Sequence, residues 1–367
     1  MIKKNIKILM VSSSSKLGGG PKLMFSLGES LAHKFDFFYA LPDSKNFSNY
    51  LKNGNYIFIK EREINLKDIL KMVKFIKKNK IDLIHAHGKG ASAISRIIKI
   101  FISKPIIYTF HGIHLSCHSL SSKILYLIYE YATGFLDFTK VFVSTSELKF
   151  AKKFRICMGR KSVIINNGIK NSSLKSQNIF TEKKVINNCI EKTKIISVCR
   201  FVEQKNIEEI IQIAQILHQF KFKILGDGPL YIEIDNLIKR KCLNNVQLLG
   251  NCNDVYHHLF NSDIFLSSSL YEGLPLSILE AMSIGLPIVA SNVVGNCDTI
   301  IHDQSGYLYE LHDIYSAVRY LKMLSNDKED RFKKGMAALN RQREYFSIKK
   351  MKNSYKELYT NAFAISN

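Results

Sequence analysis

The stretch Ser267 to Ser291, SSSLYEGLPLSILEAMSIGLPIVAS, decides the fold. An apolar run, Ile264 to Leu266, leads into its three serines, and Pro275 opens a segment with helical spacing that Gly285 and Pro287 close. Proline suits a first helical position because its missing N–H would be unpaired there anyway. Glycine just past the last turn, with proline beyond, ends a helix. Pro287 to Ala290 then reads as a second buried strand, so the stretch is strand, helix, strand. The turn Glu272-Gly273-Leu274 falls where helix N–H groups point outward, which favours anions and hydroxyl-rich ligands. Glu272 and Glu280 bracket it. At about 1.5 Å per residue a regular helix would hold these carboxylates roughly 12 Å apart. That distance suits the two ends of one extended ligand, whereas an acid pair at one bond needs carboxylates within about 10 Å.

Working outward, the same alternation continues on both sides. Lys194 to Arg200 is a strand, Asn206 and Glu209 have capping-box spacing before a helix over Ile207 to Phe220, and Phe222 to Leu225 is a strand closed by Gly226-Asp227-Gly228-Pro229. A helix over Leu230 to Lys241 and a strand over Val246 to Leu249 follow. Nearer the start, Ile6 to Ser12 is an apolar run, Gly18-Gly19-Gly20-Pro21 is a turn, and Leu23 to Leu31 has helical spacing. Strand, glycine turn and helix in that order open a mononucleotide-binding half. Phe35 to Leu41, Ile81 to His85, Pro105 to Phe110, Lys140 to Ser144 and Ser162 to Ile165 supply further strands. Helices over Leu66 to Lys80, Ser92 to Phe101 and Ser121 to Gly134 stand between them. Residues 168–193 are polar and weakly periodic, as a linker is, and Ser347 to Phe363 has helical periodicity. The fold class is α/β, with two Rossmann-like domains: residues 1–170, a linker at 171–193, a second domain at 194–346 and a closing helix at 347–367.

A chain of 367 residues exceeds what one core supports, in keeping with two domains. The lysines before the first apolar run superficially resemble a signal peptide, but Lys7 interrupts that run, so a buried first strand is the better reading. No uncharged apolar stretch reaches the roughly 18 residues that span a bilayer. Seven scattered cysteines without a C-x-x-C pair read as reduced thiols, not a disulfide framework or a zinc site. The net charge of +22 is uneven: residues 1–170 hold 29 Lys and Arg against 10 Asp and Glu, the remainder 24 against 21. A basic half points to an anionic surface, either phospholipid headgroups or nucleic acid, set against the plain alternative of a solvated lysine coat.

Polar residues gather at the carboxyl ends of the expected strands, where open α/β sheets bind ligands. Gly19 and Gly20 let backbone approach a phosphate. Arg200, after a strand, and Lys205, before a helix, suit a diphosphate, since Arg binds it bidentately and Lys adds a point charge. His111, followed by Gly112, can hydrogen-bond a sugar hydroxyl or move a proton; His87 and His114 are weaker candidates. Glu280 sits in an otherwise apolar segment, where a carboxylate needs hydrogen bonds from a ligand.

GGGP at 18–21, HG at 111–112, RFVEQKN at 200–206, GDGP at 226–229 and above all EGLPLSILEAMSIGLPIVAS at 272–291 together resemble the retaining GT-B glycosyltransferases of family 4, glycosyl transferases group 1. The resemblance implies two facing domains with a cleft between them and a C-terminal helix that crosses back to the N-terminal domain. It implies a nucleotide-diphosphate sugar donor and no divalent metal or other cofactor, and the chain has no D-x-D sequence. It assigns Arg200 and Lys205 to the donor diphosphate, and Glu272 with Gly273, Leu274 and Pro275 to the donor sugar. Glu280 goes to the ribose, His111 to the reacting sugar, and Gly19 and Gly20 to the diphosphate or acceptor. The implied work is glycosyl transfer to a glycan or lipid-linked acceptor of a bacterial surface polysaccharide, at the cytoplasmic face of an anionic membrane met by the basic half, with no nucleic-acid partner. The residues alone leave open another GT-B enzyme, such as an epimerase or phosphorylase, and a basic nucleic-acid-binding protein.

Overall fold

The computed structural model describes residues 5–16, 18–51, 55–113, 115, 120–157, 161–170, 192–252 and 254–366. Most of the stretch expected as a linker, 171–191, lies outside them, as does His114. The chain divides into two compact units: residues 1–167 with 349–367, and residues 168–348.

In unit 1 the elements are β1 (Ile6–Ser12), α1 (Gly19–Leu31), β2 (Phe35–Leu41), β3 (Tyr56–Phe58), α2 (Leu66–Asn79), β4 (Leu83–His87), α3 (Lys89–Ile98), β5 (Ile106–Thr109), α4 (Leu120–Thr133), β6 (Thr139–Phe142), α5 (Thr145–Lys153) and β7 (Lys161–Ile164). The strands form one parallel sheet in the order β3-β2-β1-β4-β5-β6-β7. The run from β4 to β7 steps one way and that from β1 to β3 the other. Because parallel crossovers are right-handed, α2, α3, α4 and α5 cover one face and α1 the other. Central strands buried on both faces read as continuous apolar runs, as β1 does over Ile8 to Val11, whereas β4 is equally buried but carries His85 and His87 on one face. On the α2 and α3 side, Leu9, Val11, Ile84 and Ala86 pack against Ile69, Met72, Ile94 and Ile98.

Unit 2 runs β8 (Lys194–Val198), α6 (Ile207–Ile216), β9 (Lys221–Leu225), α7 (Tyr231–Arg240), β10 (Val246–Gly250), α8 (Val255–Phe260), β11 (Ile264–Ser267), α9 (Leu276–Met282), β12 (Ile288–Ser291), α10 (Asn296–Thr299), β13 (Gly306–Tyr309), α11 (Ile314–Asn326) and α12 (Lys328–Tyr345). Its sheet is also parallel, β10-β9-β8-β11-β12-β13. β13, α11 and α12, like β3 in unit 1, are elements the sequence pattern did not show. Gly285, with φ of 78°, ends the segment that follows α9. Pro275 is extended, at φ −72° and ψ 116°, one residue before the helix and not its first residue. With seven residues, α9 is too short to span the Glu272 to Glu280 interval, so that interval is only half helical.

The last helix, α13 (Ile348–Ser366), belongs to unit 1 over almost all its length. Its buried Tyr359 hydroxyl meets His85 Nδ1 at 2.7 Å, and the Tyr355 hydroxyl meets Thr109 Oγ1 at 3.0 Å. The Tyr359 ring also stands edge-on to Phe35. Tyr359 and Tyr355, 274 and 246 positions from these partners, are thereby fixed to β4 and β5.

Unit 1 holds a buried ionic cluster between α3 and α4. Arg96 donates to Asp137 Oδ1 at 3.0 Å and Oδ2 at 2.5 Å, to Glu130 at 2.9 Å and to Thr133 at 3.0 Å. Lys140 Nζ stands 3.8 Å from Glu130 and donates to the Ile156 carbonyl at 2.6 Å. The neighbouring carboxylates push the Arg96 guanidinium further up against its burial, whereas burial dominates at Lys140 and pushes its ammonium down. Removing one member of a buried pair leaves an uncompensated charge. Glu130→Ala is expected to destabilise unit 1 by about 3–5 kcal/mol, measured by chemical denaturation; a loss within the range of a surface substitution would contradict the cluster's role.

Candidate functional site

In unit 2 the deciding stretch folds back on the turn that carries Lys205. β8 ends before Cys199 and Arg200, and the chain then makes a single turn, Glu203–Lys205, before α6. Leu270 N–H donates to the Gln204 carbonyl at 2.8 Å, and the Gln204 amide donates to the Tyr271 carbonyl at 2.8 Å. The Ser268 hydroxyl bonds the carbonyls of Lys205 and Asn206, at 2.9 and 2.8 Å. The Ser291 hydroxyl bonds the Ser269 carbonyl at 2.6 Å. These serines sew two loops and two strand ends into one platform.

That platform brings Lys205 and Glu272 together as an ion pair. The Ser269 hydroxyl also donates to Glu272 Oε1, at 2.7 Å, and Gln204 lies 3.5 Å from Oε2. Glu272 is 7% exposed, so these donors replace the water it has lost. Ser197, Cys199, Ser269 and Ser277 line the same recess as the pair, and burial pushes the Cys199 thiol up to about 12, leaving it an unreactive neighbour at neutral pH. Gly273, Leu274 and Pro275 are buried in the turn that follows. Arg200 is exposed, and among the described residues its guanidinium has no hydrogen-bond or ion-pair partner. Its backbone is held by the neighbouring glycine loop, where Phe201 N–H donates to the Asp227 carbonyl at 3.0 Å. Glu280 is half-buried on α9, close enough to Tyr256 to add to the rise that burial gives that phenol.

The capping box expected at Asn206 does not form. Asn206 is left-handed, at φ 48° and ψ 49°, and its side chain caps no backbone N–H. Glu209 is buried and turns to the Tyr309 hydroxyl at 2.8 Å, to His312 at 3.1 Å and to the Asn206 side-chain amide at 2.8 Å. The need to satisfy a buried carboxylate outweighs a local cap.

In unit 1, Gly19 is the first residue of α1, and a Cβ placed on Gly20 would stand 3.2 Å from the His111 ring. Gly20 and His111 are thus neighbours. β4 runs two residues further than the pattern indicates, so His85 and His87 both lie within it, on one face of the sheet. The His87 and His111 rings stack at 5.4 Å, and His87 Nδ1 stands 3.1 Å from His111 Nε2. His87 Nε2 is buried and, among the described residues, has no partner. A buried lone pair without a donor costs less than a buried N–H without an acceptor. The tautomer in which His87 Nδ1–H donates to His111 Nε2 is therefore favoured, and it puts the His111 proton on Nδ1. Burial pushes His111 down to about 4 and His85 to about 3, and holds His87 well below its ordinary value. At neutral pH all three are uncharged, so His111 offers hydrogen bonds and not a positive charge.

Glu147 of α5 is a residue that sequence reasoning missed. It is fully buried and accepts the Gly112 N–H at 2.7 Å and the Val143 N–H at 2.9 Å, tying the His111-Gly112 loop to the end of β6. Its only sequence signal is Ser144 three residues before it, in capping-box spacing, and the Ser144 hydroxyl does accept its N–H at 3.2 Å.

Two expectations follow. The three histidines titrate near 6.5 when unfolded and far lower when folded, so the unfolded chain binds more protons below about 6.5. Their stabilising contribution is complete above about pH 6.5 and is lost as pH falls towards the folded values. Between about 6.5 and 5, above the carboxylate range, the melting temperature should fall, and less steeply in His87→Gln; equal slopes would refute it. Gly295 has φ of 88°, and a Cβ there would lie 2.7 Å from the Gly273 carbonyl and 2.8 Å from Glu272 Cβ. Gly295→Ala should cost on the order of 1–3 kcal/mol by denaturant titration and displace the Glu272 turn.

Residues 18–172 match the glycosyltransferase family 4 family and residues 178–341 the glycosyl transferases group 1 family. The chain is 27% identical, over 88% of its length and 89% of the relative's, to UDP-Gal:alpha-D-GlcNAc-diphosphoundecaprenol alpha-1,3-galactosyltransferase of Escherichia coli. It is 25% identical to the capsular polysaccharide biosynthesis glycosyltransferase CapM of Staphylococcus aureus, over 89% of both chains. Anabaena HepE, solved in complex with UDP and glucose, superposes with a TM-score of 0.81 at 17% identity, covering 97% of this chain and 100% of that one. With one family matched on each unit and parallel Rossmann-like sheets in both, the chain belongs to the family 4, group 1 glycosyltransferases of the GT-B fold.

Proposed function

We propose that the protein is a metal-independent, retaining glycosyltransferase that moves a sugar from a nucleotide-diphosphate sugar to a lipid-linked or glycan acceptor in bacterial surface-polysaccharide synthesis. The Lys205–Glu272 pair carries the reading: a fixed cation and a fixed carboxylate in one recess at a strand end, with the exposed Arg200 guanidinium on the same strand's exit. In glycosyl transfer the bond from the anomeric carbon to the phosphate oxygen breaks, and negative charge gathers on the departing diphosphate. Cations already in place stabilise that charge most in the transition state. Lys205 and Arg200 take this part, in the role a divalent ion plays elsewhere. The carboxylate of Glu272, already oriented by Ser269, accepts hydrogen bonds from the donor sugar's hydroxyls, and Gly273, Leu274 and Pro275 shape its pocket. Glu280 accepts from the ribose hydroxyls. His111, neutral at working pH, donates its Nδ1–H to the sugar being transferred, and Gly19 and Gly20 border the diphosphate or acceptor.

The Escherichia coli relative's named acceptor, a sugar on diphosphoundecaprenol, supports a lipid-linked acceptor here. The charge distribution supports a peripheral place at the inner face of the cytoplasmic membrane. Unit 1 carries 32 Lys and Arg against 11 Asp and Glu, while unit 2 carries 21 against 20. Among the described residues no helix is long and apolar enough to cross a membrane.

Thermal-shift titration with UDP-, GDP-, ADP- and CMP-sugars should single out one nucleotide, since a ligand that binds only the folded state raises stability by RT ln(1 + [L]/Kd). Transfer from that donor should persist in excess EDTA and give a product with the donor's anomeric configuration. Glu272→Ala combined with Lys205→Ala should lower kcat/KM by about a hundredfold or more. Full activity in that double variant, or activity abolished by EDTA and restored by Mg²⁺ or Mn²⁺, would contradict the corresponding part of the reading.

A further inference from the structure

α4 turns an apolar face outward. Ile124, Leu125, Ile128 and Tyr131 are exposed along it, with Phe135 just beyond its end, and Leu125 and Tyr131 are 69% and 66% exposed. Positions 124, 128, 131 and 135 recur at helical spacing and so form one stripe. The opposite side of α4 is occupied by Glu130, its only acidic residue, which is locked to Arg96 in the buried cluster. The helix therefore cannot roll to bury its stripe without exposing Arg96 and drawing a carboxylate out of an ion pair. The outward face is set by the core and is not a matter of loose packing.

The rest of that sheet face indicates its occupant. α2 to α5 share one face of the sheet, and there Lys67, Lys71, Lys74, Lys77 and Lys78 of α2 and Lys152 of α5 are exposed. Ile100 and Phe101, in the turn just after the neighbouring α3, are exposed apolar residues as well. An apolar stripe with aromatic rings at one end and without an outward acid, on a sheet face whose other helices expose lysines, has the composition of a surface that lies in a membrane interface. Lysines alone would hold an anionic surface at a distance; apolar side chains enter the acyl boundary. Soluble monomers rarely expose such a contiguous patch without a use for it.

We propose that α4 docks unit 1 onto an anionic phospholipid surface, with Ile124, Leu125, Ile128, Tyr131 and Phe135 inserted below the headgroups and the lysines of α2 and α5 paired with lipid phosphates. This rests on the membrane-side reading of unit 1 given above. It adds a helix, an orientation and an apolar contribution that survives salt.

The test is flotation of the full chain with vesicles rich in phosphatidylglycerol and with pure phosphatidylcholine vesicles, at low and high salt, for the native chain and for Leu125→Asp with Ile128→Asp. Both substituted side chains are exposed, so the thermal transition should be unchanged. The native chain should float with the anionic vesicles and retain part of its binding in high salt. The double variant should bind about tenfold more weakly or less, the scale of two lost apolar insertions. Binding that the double variant retains in full, or that high salt abolishes entirely in the native chain, would overturn the insertion. So would a lipid-free dimer that the double variant dissolves, because the stripe would then serve a second copy of the chain. Transfer to a water-soluble acceptor, measured on the same samples, separates the two readings. If it persists while vesicle binding fails, only the docking surface falls; if it is absent from the native chain, the proposed activity falls.

Discussion

Glu272 is nearly buried, and a carboxylate in that position must be given donors by the chain itself. Lys205, Ser269 and Gln204 supply them from two separate loops, so the loop after β8 and the loop after β11 have to meet. Much of unit 2's local structure follows from that meeting. Ser268 holds the Lys205 carbonyl, Ser291 holds the Ser269 carbonyl, and the Glu272 N–H donates to the Val294 carbonyl at 3.0 Å. Gly295 then passes so near to Glu272 and Gly273 that a side chain would not fit. The group proposed to hold the donor sugar is thus built into the packing of three strand ends, those of β8, β11 and β12, which fixes its position as closely as transfer would demand.

Unit 1 solves a related problem with neutral groups. Its strand ends carry His85, His87 and Thr109, deep enough that burial keeps the imidazoles uncharged, and the hydroxyls of Tyr359 and Tyr355 complete the hydrogen bonds of His85 and Thr109. A cation there would cost desolvation, with no counter-ion beside it among the described residues. A neutral, oriented donor suits the sugar hydroxyl proposed for His111, and the backbone tie from Gly112 to Glu147 holds the loop that carries it. The charged cluster of Arg96, Glu130, Asp137 and Lys140 is kept further back, where each ion has its partner.

The alternation of apolar runs with turn residues made both parallel sheets legible, because buried strands in such sheets have no polar face to disguise them. The same reading placed Arg200, Lys205, Glu272 and His111 at strand exits. What it missed has physical causes. α12 is thick with charge and its apolar stripe is thin, so its period is weak. The Asn206 and Glu209 spacing looked like a cap, but tertiary donors claimed Glu209. The pattern ends the fourth strand at His85, where the apolar run gives out, whereas burial by neighbours in space carries it on to His87. Ser268, Ser269 and Glu147 are ordinary residues in sequence; they matter through partners 3 to 63 positions away, which no local pattern reveals. The outward face of α4 was equally invisible, since a run such as KILYLIYEY is apolar nearly all round and only the buried position of Glu130 says which side faces in.

The division of charge between the units bears on how such an enzyme meets two different anions. Unit 2 is nearly neutral, with 21 basic residues against 20 acidic, although the donor assigned to it is a polyanion. A diphosphate a few ångströms from fixed cations responds to those cations and not to the net charge of the domain, because the Debye length at physiological ionic strength is only about 8 Å. A surface is different. It presents many charges at once, and it is met by a face rather than by a recess, so a broad excess of lysine is the effective arrangement. On the proposed reading, the 32 to 11 excess of unit 1 serves this second purpose. A proposed donor site that relies on two or three placed ions and a proposed acceptor side that relies on a diffuse field need not share one charge balance, and the two units of this chain do not.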